Sequence, residues 1–272
     1  MLATAIVVFR EIIEAGLVIG IVLAATRGVP KRTLWVIYGV AAGVAGAGLV
    51  ALFTDSLNSA LGGVGQEMFD VAILSAAVVM LTWHNVWMAR NGRDIAVEMG
   101  KVGEAVAAGQ RSLAALAIVV GIAVLREGSE IVLFLYGIAI SGGLSLATMM
   151  LGGALGLAAG AGVAALMYFG LIRVPTRHLF GVTSWLIALL AAGMAAQAVA
   201  FLQQAQIITV LSKAVWNTSR FLDDGSVAGR VLHTLIGYTA RPSAMQLAVY
   251  GATLFTMFLL MRLFSRAPTR PS

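Results

Sequence analysis

The chain has 272 residues, of which 60% are hydrophobic and only 11% are charged, and its mean hydropathy is +0.95. Soluble domains carry about 25% charged residues, so this composition indicates an integral membrane protein. The net charge of +6 does not indicate nucleic-acid binding, because the basic residues fall mostly between apolar runs. The absence of cysteine excludes disulfides, thiolate metal sites and iron–sulfur clusters.

Seven apolar runs are long enough to cross a bilayer, for which a helix needs about 20 residues. They predict an all-α integral membrane protein with seven transmembrane helices. The predicted spans are residues 3–26, 33–54, 68–89, 112–140, 144–168, 179–202 and 245–264.

Basic residues mark every second connection between these spans. Arg27 and Arg32 follow the first span, whereas the connection after the second has no lysine or arginine. The positive-inside rule therefore predicts a multi-pass protein with its N-terminus outside and its C-terminus in the cytosol. It also predicts a cytosolic helical linker at about residues 91–111 and an outer loop at 205–244.

Two pentapeptides put ionised groups inside apolar runs. They are Arg10-Glu11-Ile12-Ile13-Glu14 in the first span and Arg126-Glu127-Gly128-Ser129-Glu130 in the fourth. An ionised residue in a membrane helix costs about 2.5–3.5 kcal/mol on insertion scales, so such residues are first interpreted as functional.

The two pentapeptides are related by one constant sequence offset, which indicates an internal repeat. Repeat 1 covers about residues 1–90 and repeat 2 about 112–204, and the last helix at 245–264 is added to them, all within one transmembrane domain at 1–272. Because each repeat has three helices, the second enters the membrane from the opposite side. The sequence thus predicts two inverted three-helix repeats, an arrangement typical of secondary transporters, with the site near mid-membrane.

The paired motifs offer four carboxylates for a cation. Residues three and four apart share one helix face, so Glu11 and Glu14 project together, as do Glu127 and Glu130. With two arginines the cluster has a formal charge of −2, which a di- or trivalent cation would neutralise. We expect the glutamates to coordinate the ion and the arginines to hold the glutamates. The alternative is a pair of structural ion-pair clusters, but such pairs need no second glutamate.

Further polar residues are candidates for supporting roles. His84 is a candidate metal ligand, although its place near the cytosolic end of the third span favours a hydrogen-bonded or interfacial residue. Asp70 could attract cations or cap the third helix. In the outer loop, Asp223, Asp224 and His233 could collect the ion or dock a partner, or they could serve the hydrogen bonds of the loop itself.

The two Arg-Glu-x-x-Glu motifs, in the first and fourth of seven helices, resemble those of bacterial members of the FTR1/EfeU-type iron permease family, the oxidase-dependent iron transporters. The segment Val215-Trp216-Asn217-Thr218-Ser219 is similar to the loop before the last helix in that family. The resemblance covers nearly the whole chain. The second motif is close to the Arg-Glu-Gly-Leu-Glu form of the family, whereas the first lacks its central glycine.

This resemblance implies high-affinity iron uptake across a bacterial inner membrane, with iron (Fe³⁺ or Fe²⁺) as substrate and no permanently bound cofactor. It assigns metal binding to Glu11, Glu14, Glu127 and Glu130, with Arg10 and Arg126 beside them. It also implies a periplasmic iron-binding protein and a haem peroxidase or a ferroxidase as partners, besides membrane lipid.

Two other functions stay open from the sequence. One is a permease for another cation, such as lead or manganese, or for protons. The other is a membrane iron sensor or assembly subunit that binds iron without moving it. An enzyme is not expected, because no pair of nucleophile and base is apparent.

Overall fold

The computed structural model describes residues 1–61, 66–142, 145–170 and 176–264. Within these ranges the fold is built from helices. The eight helices are α1 (Leu2–Ala25), α2 (Arg32–Leu61), α3 (Gln66–Ala107), α4 (Ala114–Gly142), α5 (Leu146–Tyr168), α6 (Thr176–Gln204), α7 (Val227–Ile236) and α8 (Ala244–Phe264). The seven predicted spans coincide with α1 to α6 and α8, so the all-α class is confirmed for the described residues.

Five of these helices contain segments that are long and apolar enough to cross a membrane. The segments are Arg32–Thr54, Met68–Met88, Leu146–Tyr168, Gly181–Gln204 and Ala244–Phe264. Helices α1 and α4 have 24 and 29 residues and are otherwise apolar, but each carries one arginine and two glutamates in its middle. The chain is therefore a membrane protein with its charged motifs on two of its apolar helices.

Small residues let α1 and α5 approach each other closely. A Cβ atom added to Gly156 of α5 would lie 2.5 Å from the carbonyl oxygen of Ala5 and 3.0 Å from the backbone nitrogen of Phe9. A side chain does not fit at this distance, so the contact depends on glycine at position 156. Such backbone-to-backbone contacts at small residues are a common way for helices to associate in membranes.

Helices α2 and α4 meet in the same way. A Cβ atom added to Gly43 of α2 would lie 2.8 Å from the carbonyl oxygen of Gly121 and 2.9 Å from the backbone nitrogen of Leu125. Gly121 and Leu125 are separated from Ala5 and Phe9 by the offset that relates Arg126 to Arg10. Positions of α1 and α4 that correspond in the repeat thus each contact a glycine of a neighbouring helix. The neighbour is α5 for α1 and α2 for α4.

The polar segment after the third predicted span is helical, as its charge spacing predicted. Helix α3 continues without a break to Ala107, and its residues Met99 and Val106 pack into an apolar cluster with Val22, Val36 and Leu116. Because this cluster joins the end of α1 to the starts of α2 and α4, it fixes that end of the bundle. Periodic charges alone did not reveal these contacts.

The predicted outer loop contains a short helix that the sequence did not predict. The hydroxyl of Ser226 accepts a hydrogen bond from the backbone nitrogen of Gly229 at the start of α7. Gly237 ends the helix with φ at +69°, a left-handed conformation that glycine adopts without strain. At ten residues, α7 is too short to stand out among the apolar runs.

Candidate metal site

The first motif lies on a buried face of α1. Arg10, Glu11 and Glu14 are 2%, 0% and 4% exposed. Arg10 donates from Nη1 to Oε1 of Glu11 at 2.9 Å, and its Nη2 lies 3.0 Å from Oε1 of Glu14. One guanidinium therefore holds one oxygen of each carboxylate. The Oε2 atoms of both glutamates are buried without a hydrogen-bond partner.

The second motif, on α4, is more open. Arg126 donates from Nε to Oε1 of Glu130 at 3.2 Å, and the same Nε lies 3.8 Å from Oε1 of Glu127. Its side chain is 34% exposed, and its guanidinium lies 4.3 Å from the centre of the Trp87 ring. This cation–π contact stabilises the charge where it is only partly paired. The two arginines are thus not equivalent, since Arg10 is enclosed and Arg126 lies at the edge of the site.

His84 of α3 lies between the two motifs and is 3% exposed. Its Nδ1 is 2.5 Å from Oε2 of Glu130 and 3.2 Å from Nη2 of Arg126. Its Nε2 is 3.3 Å from Oε2 of Glu14 and 3.9 Å from Oε2 of Glu11. The imidazole therefore contacts residues of both motifs. Of the two descriptions that the sequence favoured, hydrogen-bonded or interfacial, the ring meets the first.

Seven residues of three helices form what we call the ionic cluster: Arg10, Glu11, Glu14, His84, Arg126, Glu127 and Glu130. Within it, Glu11, His84, Glu127 and Glu130 each offer a ligand atom within 4.8 Å of the others. Glu14 lies beside this group through its contact with His84. The arrangement brings glutamates of both motifs to one place, and oxygen and imidazole ligands of this kind bind divalent metal ions.

A signal for His84 is present in the sequence but was outweighed. His84 and Asn85 interrupt an apolar run, as the charged motifs do, but the place of His84 near the cytosolic end of the third predicted span favoured a hydrogen-bonded or interfacial residue. In the structure, Asn85 is 1% exposed and donates from Nδ2 to the carbonyl oxygen of Ser184 at 3.1 Å. Both polar residues of this pair therefore point into the bundle, whereas the neighbouring Trp83 is largely exposed.

Asp70 does not join the ionic cluster. It lies in the second turn of α3, fourteen residues before His84, which corresponds to about 21 Å along a helix. Asp70 therefore lies near the start of α3, away from the ionic cluster.

The three candidate residues of the predicted outer loop are engaged in hydrogen bonds, two of them within the loop and one also to α4. Oδ1 of Asp223 accepts from the backbone nitrogen of Gly225, and Oδ1 of Asp224 accepts from that of Ala240, both at 2.8 Å. The ring nitrogens of His233 lie 2.7 Å from the carbonyl oxygen of Tyr238 and 2.8 Å from that of Ser141, at the end of α4.

A cavity of about 770 Å³ lies beside this segment. Asp224 and His233 line it, together with Arg230, Arg241 and glutamines of α6. The lining thus has more basic than acidic side chains, which does not favour collection of a free cation at this point.

Comparisons with known proteins place the chain in a family. The model of the iron permease FTR1 family matches residues 1–267. Ferrous iron permease EfeU of Escherichia coli O6:H1 is 29% identical over 250 residues, covering 90% of this chain and 89% of that protein. The putative inactive ferrous iron permease EfeU of Escherichia coli K12 is 29% identical over 267 residues, covering 96% and 95%.

The ferrous iron permease EfeU of Shigella flexneri is 32% identical over 203 residues, covering 74% of this chain and 86% of that protein. No solved structure gives a significant match. Since the family model spans almost the entire sequence, the chain belongs to the iron permease FTR1 family.

Proposed function

We propose that this protein is a permease for high-affinity iron uptake across the bacterial inner membrane. The single observation that carries the proposal is the set of buried atoms in the ionic cluster that have no hydrogen-bond partner. They include Oε2 of Glu11, Oε2 of Glu14, Oε2 of Glu127 and Nε2 of His84. Unpaired polar groups in an apolar interior cost free energy, and a bound cation would satisfy several of them at once.

The charge of the cluster supports the same role. Four glutamates and two arginines leave a formal charge of −2, which a divalent ion neutralises. Arg10 holds one oxygen of Glu11 and one of Glu14, so each carboxylate keeps its other oxygen for the ion. When the ion leaves, the Arg10 guanidinium still neutralises part of the negative charge of Glu11 and Glu14. The empty site is therefore less unfavourable, and the affinity for the ion stays low enough for release.

The proposed architecture has seven membrane-spanning helices, namely α1 to α6 and α8, with two inverted three-helix repeats. Support comes from the matching glycine contacts, in which Gly156 packs on Ala5 and Phe9 as Gly43 packs on Gly121 and Leu125. In an inverted repeat the two motifs meet near the middle of the bilayer. With the N-terminus outside and the C-terminus in the cytosol, residues 205–244 then face the periplasm.

Iron is the substrate that the comparisons favour, and the names of the relatives specify ferrous iron. A periplasmic iron-binding protein and a haem peroxidase or ferroxidase would deliver the ion at the outer segment. Carboxylates also accept lead and manganese, so competition between metals is part of the test. An enzymatic role is not proposed, since the family is one of permeases.

Accumulation of radioactive Fe²⁺ by purified protein in vesicles tests the proposal. We expect uptake above that of protein-free vesicles, with weaker competition by Mn²⁺ and Pb²⁺ than by unlabelled Fe²⁺. Stronger competition by either metal would make that metal the substrate. Binding of Fe²⁺ without accumulation inside the vesicles would instead support a sensor or an assembly subunit.

A further inference from the structure

We infer that His84 is a direct nitrogen ligand of the transported ion, through Nε2, and that it makes the site prefer Fe²⁺ over Mn²⁺, Ca²⁺ and Mg²⁺. This inference rests on the proposed function, because it concerns the same ion site. It goes beyond the two charged motifs, since His84 belongs to neither and lies on a third helix.

The contacts of Nδ1 decide which ring nitrogen is free to bind a metal. Nδ1 lies 2.5 Å from Oε2 of Glu130 and 3.2 Å from Nη2 of Arg126. At 2.5 Å a hydrogen must lie between nitrogen and oxygen, because two lone pairs would repel each other. If the Glu130 carboxylate is ionised, this hydrogen belongs to Nδ1, and in the neutral imidazole Nε2 then carries the lone pair. The contact of Nδ1 with Nη2 of Arg126, a group that can only donate, is then not a hydrogen bond.

The surroundings of Nε2 contain acceptors. Its neighbours are Oε2 of Glu14 at 3.3 Å and Oε2 of Glu11 at 3.9 Å, and all three atoms lack a hydrogen-bond partner. Nitrogen and oxygen ligands bind a divalent transition metal at about 2.0–2.2 Å. Two such ligands on one ion lie about 2.8–3.6 Å apart at angles between about 90° and 109°. The separation of Nε2 from Glu14 fits this range.

Glu130 would then act as a positioning residue. A histidine that binds a metal commonly donates its other ring N–H to a carboxylate, which fixes the orientation of the ring. Glu130 meets this description through Oε2, while its Oε1 accepts from Arg126. The three other glutamates keep a free oxygen for the ion.

An imidazole ligand changes which ions the site prefers. Imidazole suits iron and the later transition metals, whereas carboxylate and water suit Mg²⁺, Ca²⁺ and Mn²⁺. A site made only of glutamates would discriminate poorly among these ions. His84 is the only histidine of the ionic cluster, so one substitution removes this property.

The first test measures competition in vesicles with His84→Gln, which keeps a polar side chain but removes the imidazole. We expect the apparent affinity for Fe²⁺ to fall at least about 10-fold, the lower end of what even indirect metal partners cost. We also expect Mn²⁺ and Ca²⁺ to compete at least about 10-fold better relative to Fe²⁺. The control is Asn85→Ala, a buried neighbour that contacts Ser184 outside the cluster. Unchanged competition ratios in folded His84→Gln would overturn the inference.

The second test requires only that the protein binds Fe²⁺, not that it transports it. It uses protein that keeps His84, so it does not depend on the folding of His84→Gln. Pulsed electron paramagnetic resonance on the Fe²⁺–nitrosyl adduct should detect a coordinated imidazole nitrogen. The signal should change when the protein is labelled with ¹⁵N-histidine, and it should persist in His178→Gln/His233→Gln, which leaves His84 as the last histidine of the three. No histidine nitrogen in the adduct would refute the inference. Absence of Fe²⁺ uptake by wild-type vesicles would refute only the proposed function.

Discussion

Nδ1 of His84 lies 2.5 Å from Oε2 of Glu130, and this contact joins α3 to α4 in the middle of the bundle. Through the other ring nitrogen the same imidazole reaches Glu14 of α1. The candidate site is therefore shared by three helices and not only by the two that carry the repeated motifs. Any movement of α3 relative to α1 or α4 must change the set of ligands offered to an ion.

The two arginines should differ in their contribution to stability. Arg10 is 2% exposed and is paired with two glutamates, so Arg10→Gln leaves buried carboxylates without a counter-charge and should cost about 3–5 kcal/mol. Arg126 is 34% exposed, and Arg126→Gln should cost about 1 kcal/mol. Unfolding of both variants in detergent, followed by circular dichroism, measures the difference. Equal losses of stability would contradict the asymmetry between the motifs.

Helix contacts at glycine provide a prediction about the repeats. Gly156→Ala and Gly43→Ala each place a methyl group less than 3.0 Å from backbone atoms of α1 or α4, and overpacking of this kind costs about 1–3 kcal/mol. Because the two contacts are equivalent in an inverted repeat, we expect similar losses of stability and of iron uptake in both variants. A large effect in one variant alone would count against the two-fold relationship.

Matched controls for these variants exist on the same helices. Gly153 of α5 and Gly48 of α2 have open space where a Cβ atom would lie. Gly153→Ala and Gly48→Ala should therefore be neutral or stabilise the protein by up to about 1 kcal/mol, the difference in helix propensity. Thermal unfolding of all four variants in one detergent makes the comparison. Destabilisation by the controls would mean that the loss reflects glycine itself and not close packing.

The predicted outer loop offers a test of whether its acidic residues collect iron. Oδ1 of Asp224 accepts a hydrogen bond from the backbone nitrogen of Ala240, and Asp224→Asn can keep this bond while removing the charge. We expect Asp224→Asn to transport iron as the wild type does, whereas Asp224→Ala should lose about 1 kcal/mol of stability. Uptake assays at low iron concentration give the answer. Reduced uptake by a stable Asp224→Asn protein would show that the charge, and not the hydrogen bond, is needed.

The sequence could predict those features that depend on long patterns. Seven apolar runs predicted the main helices, because about 20 consecutive apolar residues rarely form anything other than a membrane-spanning helix. The charged motifs stood out because ions are rare in such runs, and the pairs within each motif follow from helix geometry alone. The proximity of the two motifs was predicted from the repeat, and the structure places glutamates of both within one cluster.

Features that depend on tertiary contacts could not be predicted. His84 occupies a place between the motifs because α3 packs beside α1 and α4, and a sequence does not state which face of an apolar helix meets which neighbour. The spacing of charges predicted a helical extension of α3, but not its packing into the cluster around Val106 and Val22. Helix α7 is short and depends on local capping at Ser226 and Gly237.

The central claim is that the glutamates of both motifs coordinate the transported ion. Fe²⁺ flux into vesicles that contain Glu11→Gln tests it most directly, because this side chain is fully buried and its Oε2 has no hydrogen-bond partner. The matched control is Glu104→Gln, an exposed glutamate of α3 outside the cluster. We expect Glu11→Gln to fold and insert but to lose uptake, while Glu104→Gln retains it. Wild-type uptake by Glu11→Gln would contradict the account.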